Sequence, residues 1–225
     1  MNSLSTLSLT AKETIKRNIL RGIHQPSEHL AVSKLTKRYE IGASPMREAL
    51  FLLDKEGYVT MEANRGCYVT PLTFDELEDV KESLLITGNI VIAKAIENAD
   101  ENWQIAQLKF CNQLNQIKNP IGGEGDMIDT LIQFYSSLLT NHKMASMADF
   151  LMRLINRFAR YVHTFVSYED AERFLELDKM RNISNLSLTG DKKAAIAYFE
   201  AHLETLVEHV RFGMLKRIGE EGLTV

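Results

Sequence analysis

Ser44-Pro45-Met46-Arg47-Glu48-Ala49-Leu50 is the stretch whose reading decides the fold. Ser44 is suited to cap a helix, its hydroxyl accepting from an orphan backbone N–H. Pro45 suits the first helical position, where a missing N–H costs nothing. Met46, Leu50 and Leu53 recur at i, i+4, i+7, so one stripe faces a core. Arg47 then leaves the opposite side in the first turn. A sharply started helix with an outward arginine in its first turn can enter a DNA groove by its N-terminus. The alternative is an ordinary capped surface helix, and the flanking sequence decides between them.

Upstream, Ser33 opens a short helix with Leu35 and Tyr39 as its inner face and Lys34, Lys37 and Arg38 on its other sides. Ile41-Gly42-Ala43 is a tight connection, so the pair reads as a helix-turn-helix. Before it, Thr10 and Glu13 form a capping box ahead of the stripe Ala11, Ile15, Ile19 and Leu20, and Gly22 stops that helix. Gln25-Pro26-Ser27 is a turn, and Leu30 to Val32 a short extended segment. Downstream, Gly57 ends the third helix near Glu56. Tyr58–Glu62 and Cys67–Val69 alternate around the tip Ala63-Asn64-Arg65-Gly66, which predicts a β-hairpin. Three helices and a hairpin make a winged helix-turn-helix, with Arg65 and Gly66 placed to meet a phosphate or a minor groove.

The charge is unevenly spread. The chain of 225 residues has a net charge of −4, yet residues 1–72 hold 10 Lys+Arg against 7 Asp+Glu and residues 73–225 hold 16 against 23. A basic first third on an acidic remainder points to a polyanion met by the first third alone. Cys67 and Cys111 have no metal spacing, which fits a reducing cytoplasm. No basic region followed by a long apolar run opens the sequence, so no signal peptide is expected, and no run reaches the roughly 18 apolar residues a membrane span needs.

Residues 73–225 read as helix throughout. Thr73 to Glu76 is a second capping box, placing the domain boundary at 72/73. Leu77, Val80, Leu84, Leu85, Ile90 and Ile92 fill one stripe, with Gly88-Asn89 as a local bend. Trp103, Ile105, Leu108, Cys111 and Leu114 fill the next, and Ile128, Leu131, Ile132, Tyr135 and Leu139 a third. Asn119-Pro120-Ile121-Gly122-Gly123 is the clearest loop. Helices over about 144–165, 169–188 and 191–217 follow, the last capped by Asp191 after Gly190. Six such helices must pack as one antiparallel bundle. The fold class is thus mainly α, a winged helix-turn-helix over 1–72 followed by an all-α bundle over 73–225.

Leu35 to Leu50, then Leu53, Glu56-Gly57-Tyr58-Val59 and Arg65-Gly66-Cys67-Tyr68-Val69, resemble the GntR family of bacterial transcription regulators. The family pattern runs L-x-x-x-L/Y-x-V-S-R-T-P-V-R-E-A-L, then E-G-L-V, then R-G-x-x-V. Gly42-Ala43 departs from it where Ser-Arg is usual, and in relatives that arginine touches DNA. Within the family the pattern is similar to repressors of a carbon-starvation-induced, γ-aminobutyrate-related operon. The bundle resembles the FadR subfamily, whose C-terminal FCD domain senses a small molecule. Asn141, Gly190-Asp191 and Ala201-His202-Leu203 carry that likeness. Many FCD domains hold a metal with one Asp and three His, and a metal so held grips a carboxylate effector. Those positions fall here on Leu131, Tyr135, Met180 and His202, so the resemblance implies a pocket without metal or other cofactor. Arg157, Arg160 or Arg181 would supply a cation nearby.

These readings together lead to a cytoplasmic regulator, a repressor in most such families and no enzyme. It would bind a palindromic double-stranded DNA operator as a homodimer and be tuned by a small, carboxylate-bearing effector. Ser33, Lys34, Lys37, Arg38, Ser44, Pro45, Arg47, Arg65 and Gly66 would form the DNA surface, Arg47 reading guanine. Leu131, Tyr135, Arg157, Met180, Arg181 and His202 would form the effector pocket. His202 lies on the stripe Phe199-His202-Leu203-Leu206-Val210, and so is either a ligand contact or a core histidine bonded to Tyr135 or backbone. The rival readings are a ligand-blind DNA-binding dimer and an enzyme in the bundle. Against the enzyme, no nucleophile–base or paired-carboxylate constellation shares a face.

Overall fold

The computed structural model of the chain describes residues 6–63, 65–116, 126–138, 143–167 and 174–221. The chain divides into two compact units, Met1–Leu72 and Thr73–Val225. In the first, α1 (Thr6–Leu20), α2 (Val32–Tyr39) and α3 (Ala43–Lys55) precede an antiparallel hairpin of β1 (Val59–Glu62) and β2 (Gly66–Val69). Val59 pairs with Val69 and Glu62 with Gly66; Asn64 of the expected tip lies outside the described residues. Ala11, Ile15 and Ile19 of α1 pack with Met46, Ala49, Leu50 and Leu53 of α3 in one buried cluster that also takes in Leu35, Tyr58 and Cys67. Gly22 and Gly57 end α1 and α3 in the left-handed conformation. In each case the next N–H reaches back five residues, Ile23 to Asn18 and Tyr58 to Leu53, closing the ends by a Schellman motif.

Two expected starts move. Thr10 is interior to α1, where its hydroxyl donates to the Thr6 carbonyl at 2.9 Å rather than capping. Ser33 is the second residue of α2, whose N-cap is Ala31. The extended segment also shifts upstream. His29 bridges Tyr68, and the Leu30 N–H donates to the Cys67 carbonyl at 2.7 Å, while Val32 is already helical.

In the second unit the described residues include the helices α4 (Phe74–Glu97), α5 (Glu101–Gln116), α6 (Asp126–Leu138), α7 (Ala145–Phe165), α8 (Leu177–Leu188) and α9 (Lys192–Glu221). Thr73 caps α4 by accepting from the Glu76 N–H at 3.2 Å. The expected reciprocal bond from Glu76 is replaced, because the Thr73 N–H goes to the Tyr161 hydroxyl at 3.1 Å. That hydroxyl donates to Glu76 at 2.7 Å, and Arg157 holds the same carboxylate at 2.8 Å. Burial and the Glu76 carboxylate both push the Tyr161 phenol up, so it stays a donor. Gly190 is left-handed, and Asp191 caps α9 by accepting from the Ala194 N–H at 3.0 Å.

Several stripes differ from expectation. Ile90, Ile105 and Leu108 are exposed. The buried residues of α5 are Trp103, Gln107, Phe110 and Leu114, spaced four, three and four apart as one helical face requires. Trp103 donates to the Leu138 carbonyl at 3.2 Å and Gln107 to the Ser137 carbonyl at 2.5 Å, which ties α5 to α6. Gly88 does not interrupt α4. It admits the ring of Phe199, which a Cβ there would meet at 2.5 Å. Gly213 is tighter still, since a Cβ would stand 1.9 Å from the Phe165 carbonyl oxygen. α8 runs from Leu177 after a helical pair at Phe174 and Leu175; the expected start near 169 falls, with residues 168–173, the 119–123 loop, Leu139 and Asn141, outside the described residues.

Candidate functional site

The first turn of α3 is built by Gly42, Ala43, Ser44 and Pro45. Gly42, extended at φ −60° and ψ 159°, is the N-cap and offers no side-chain bond. The Met46 N–H closes the first turn on the Gly42 carbonyl at 3.1 Å. Ser44 and Pro45 therefore sit second and third, two steps deeper than expected. A proline is tolerated there because that N–H has no intrahelical acceptor either. The shift frees the Ser44 hydroxyl from capping. Met46 is fully buried while Ser44, Arg47 and Glu48 are exposed, so the core stripe anchors the turn and turns Arg47 outward. Ser8 of α1 donates to Glu48 at 2.5 Å.

On α2, Ser33, Lys34, Lys37 and Arg38 are exposed, and the Arg38 guanidinium lies 5.6 Å from the Tyr39 ring centre. The end of α2 is held by a buried network absent from the sequence reading. The Tyr39 hydroxyl accepts from Asn18 at 2.7 Å and lies 2.8 Å from His24 Nε2. His24 Nδ1 is 3.0 Å from Glu28. No periodic signal marks His24, because it lies in the connection between α1 and α2. In the hairpin, Arg65 is 77% exposed along its side chain, 3.4 Å from Glu62. Gly66 has φ +112°, and a Cβ there would stand 2.7 Å from His29 Nε2, so only glycine closes this hairpin against His29. Among the described residues no carboxylate lies within ion-pair distance of Lys34, Lys37 or Arg47. These cations thus present their charge to solvent.

In Thr73–Val225, a cavity of about 10 Å³ is lined by Leu84, Gly88, Ile92, Tyr135, Leu151, Ile155, Phe158, Phe199 and Leu203. Of the expected pocket residues, Tyr135 is in this wall. His202 stacks against it, ring centres 6.4 Å apart. Leu131 and Met180 are buried without lining the cavity. Arg157 is held by Glu76, and Arg181 pairs with Asp178, so neither reaches the cavity. Arg160 is buried and partnered, and it too is outside the lining.

His202 Nε2 lies 3.1 Å from the Leu175 carbonyl. A carbonyl oxygen only accepts, so Nε2 carries the proton and Nδ1 is a bare acceptor. Burial lowers the His202 pKa to about 4, so the ring is neutral at pH 7. Nδ1 and the Tyr135 hydroxyl are both buried without a hydrogen-bond partner, each at a cost of about 1–3 kcal/mol. This donor set does not fit a divalent metal: one imidazole whose Nε2 is engaged, a phenol raised by burial, a leucine and a methionine. No group of three or more His, Cys, Asp or Glu is brought together among the described residues. Burial pushes the Cys67 thiol up to about 12, which removes it as a nucleophile.

Residues 7–69 match the family model described as bacterial regulatory proteins, gntR family. The HTH-type transcriptional repressor GlaR of Escherichia coli K12 is 30% identical over 115 residues, about half of either chain. Two uncharacterized HTH-type regulators align over most of the length. YdhC of Bacillus subtilis is 25% identical across 92% of this chain and 90% of its own. BphR of Paraburkholderia xenovorans is 22% identical across 91% and 85%. Among solved structures, E. coli McbR/YncC superposes with a TM-score of 0.75 at 14% identity, over 92% of this chain and 98% of that one. A GntR-type regulator from Rhodococcus sp. RHA1 gives 0.69 at 19%. Both share the fold of a winged module followed by a helical domain. Residues 7–69 thus match the gntR family model, and the relatives that the chain resembles are named HTH-type transcription regulators, which supports a role in DNA-binding transcription regulation.

Proposed function

We propose that the chain is a cytoplasmic repressor of FadR type. It binds a palindromic operator as a homodimer, through residues 1–72, and senses a small molecule in an FCD-like domain, residues 73–225. The observation that carries this reading is the exposed, un-neutralised cationic surface around the start of α3. Arg47 stands where a side chain entering a major groove would read a base edge, and guanine offers it O6 and N7. Ser33, Lys34, Lys37, Arg38, Ser44 and the Arg65–Gly66 tip surround it as backbone contacts, with Pro45 shaping the turn. In the helical domain, Tyr135 and His202 are the polar atoms left for an effector. A coupling of about 1–3 kcal/mol between effector and operator suffices for control.

The test is recovery and sequencing of the genomic fragments the protein retains, followed by a gel-shift titration on the enriched site. A two-fold-symmetric motif, shifted at a stoichiometry of two chains per site, is expected; no enriched motif would refute the reading. A ligand-blind dimer is favoured by one observation, the cavity's size of about 10 Å³, room for about one water. Thermal-shift screening separates the two, since a true effector raises stability by mass action.

A further inference from the structure

The outer face of α4 is a single stripe. From residue 79 onward its exposed positions are Asp79, Glu82, Ile86, Ile90, Lys94 and Glu97, three or four apart as one helical face requires. The opposite face, with Val80, Leu84, Val91 and Ile92, is buried. The core therefore has no use for the two outer isoleucines, and Ile86 is 63% exposed and Ile90 42%. A solvated helix face is ordinarily polar, and isoleucine is a poorer helix former than lysine or glutamate.

The charges at the two ends of this stripe are opposite. Toward the N-terminus, Glu78, Glu82 and Glu204 lie 3.5, 3.6 and 3.5 Å from Lys81. Arg211 pairs with Glu78 and with Glu208. Four carboxylates there share two cations. Toward the C-terminus, Lys94 and Lys192 share the Glu97 carboxylate at 2.8 and 2.6 Å, two cations on one anion. The isoleucines stand between an acidic end and a basic one.

We propose that this stripe is a seam against a second copy of the chain, α4 packing antiparallel on α4 about a two-fold axis level with Gly88. The proposal rests on the homodimer reading above and gives it a surface and a register. Two-fold symmetry makes every contact reciprocal. With the axis at that level, Ile86 faces Ile90 of the partner subunit and Glu82 faces Lys94 of the partner subunit, each contact occurring twice. The seam buries the apolar centre and sets each acidic end over a basic one. A parallel pairing would set Glu82 beside its own copy. A polyanion or a polycation would be repelled by one end. The reversed stripe is the complement of itself, which is what a second copy supplies.

The experiment is sedimentation velocity on the full chain over a concentration series in dilute salt, where exposed charge pairs are least screened. Wild type is compared with Glu82→Lys, Lys94→Glu, the double swap Glu82→Lys/Lys94→Glu, an equal mixture of the two single variants, and Ile86→Asp. Thermal melts beside each run check that the chain is folded. Each single reversal turns two attractions into two repulsions and is expected to weaken the dimer about tenfold. The double swap and the mixture restore opposite charges across the axis, and both are expected to return to near wild type. Ile86→Asp is expected to weaken the dimer further than either reversal. A monomeric wild type would overturn the homodimer reading and this seam with it. A wild-type dimer that none of the variants weakens would overturn the seam and leave the homodimer standing. Weakening by the single variants without recovery in the swap and the mixture would overturn the antiparallel register and assign the stripe to another occupant. Should Ile86→Asp fail to fold, the four charge measurements decide alone.

Discussion

In Met1–Leu72 the chemically active side chains stand outside and the apolar ones hold them up. Arg47, Lys34, Lys37 and Arg65 face solvent, while Met46, Leu50 and Leu53, on the helix that carries Arg47, are buried. In Thr73–Val225 the order is inverted. Its candidate contacts, Tyr135 and His202, are sealed in the interior, and Arg157 and Arg181 are bound to carboxylates. The difference teaches how each unit answers to mutation. A surface built for a polyanion separates function from stability, and an enclosed site binds the two together.

Gly213→Ala is the harshest test of the second unit. Alanine normally favours a helix interior by about 1 kcal/mol over glycine, but here its Cβ would stand 1.9 Å from a backbone oxygen. A net loss of about 3 kcal/mol in chemical denaturation is expected. Arg47→Ala probes the first unit from the opposite side. It should cost about 2 kcal/mol of operator affinity, relaxing one base preference, and leave the denaturation midpoint in place. A comparable loss of stability would break the contrast.

His202 makes the second unit sensitive to acid. Its folded pKa of about 4 lies below the ordinary 6.5, so between those values the unfolded chain binds more protons. Stability from this group is therefore full above pH 6.5 and is lost as pH falls toward 4. About 2 kcal/mol should be gone by pH 5, and His202→Gln should flatten that slope in denaturation series across pH. A smaller effect sharpens the picture of the first unit. Lys37→Ala should reduce the salt dependence of operator binding by about one ion, evenly across sequences. The smallest is Lys192→Ala. Lys192, with Lys94, holds the exposed Glu97 carboxyl down to about 2. Any stability it lends is present above the ordinary carboxylate range and lost as pH falls toward 2. Solvent screening at the surface should leave no resolvable change between pH 7 and pH 3.

The sequence reading did best at helix ends that a glycine closes. Glycine stops at 22, 57 and 190 were readable because a left-handed residue after a helix has one economical solution. Helix starts were not, because serine, glycine and alanine can all precede a first turn. Pro45 is compatible with any of the first positions, and so did not fix Ser44 as the cap. On α5, Ile105 and Leu108 were drawn into the stripe by hydropathy, whereas the buried face includes the amide of Gln107. The destination of Arg157 was out of reach for a different reason. Its partner Glu76 lies 81 residues away in sequence, and no local pattern encodes such a pairing.

Tyr161, near the C-terminal end of α7, is joined to the N-cap and first turn of α4 through three polar contacts on one oxygen, two with Thr73 and one with Glu76. Neither helix can slide past the other without breaking the bond that holds the half-buried Thr73 amide. The two must travel together, so residue 73 is steered by α7 as a rudder is by its tiller. Tyr161→Phe would cut that linkage while leaving the ring's packing in place.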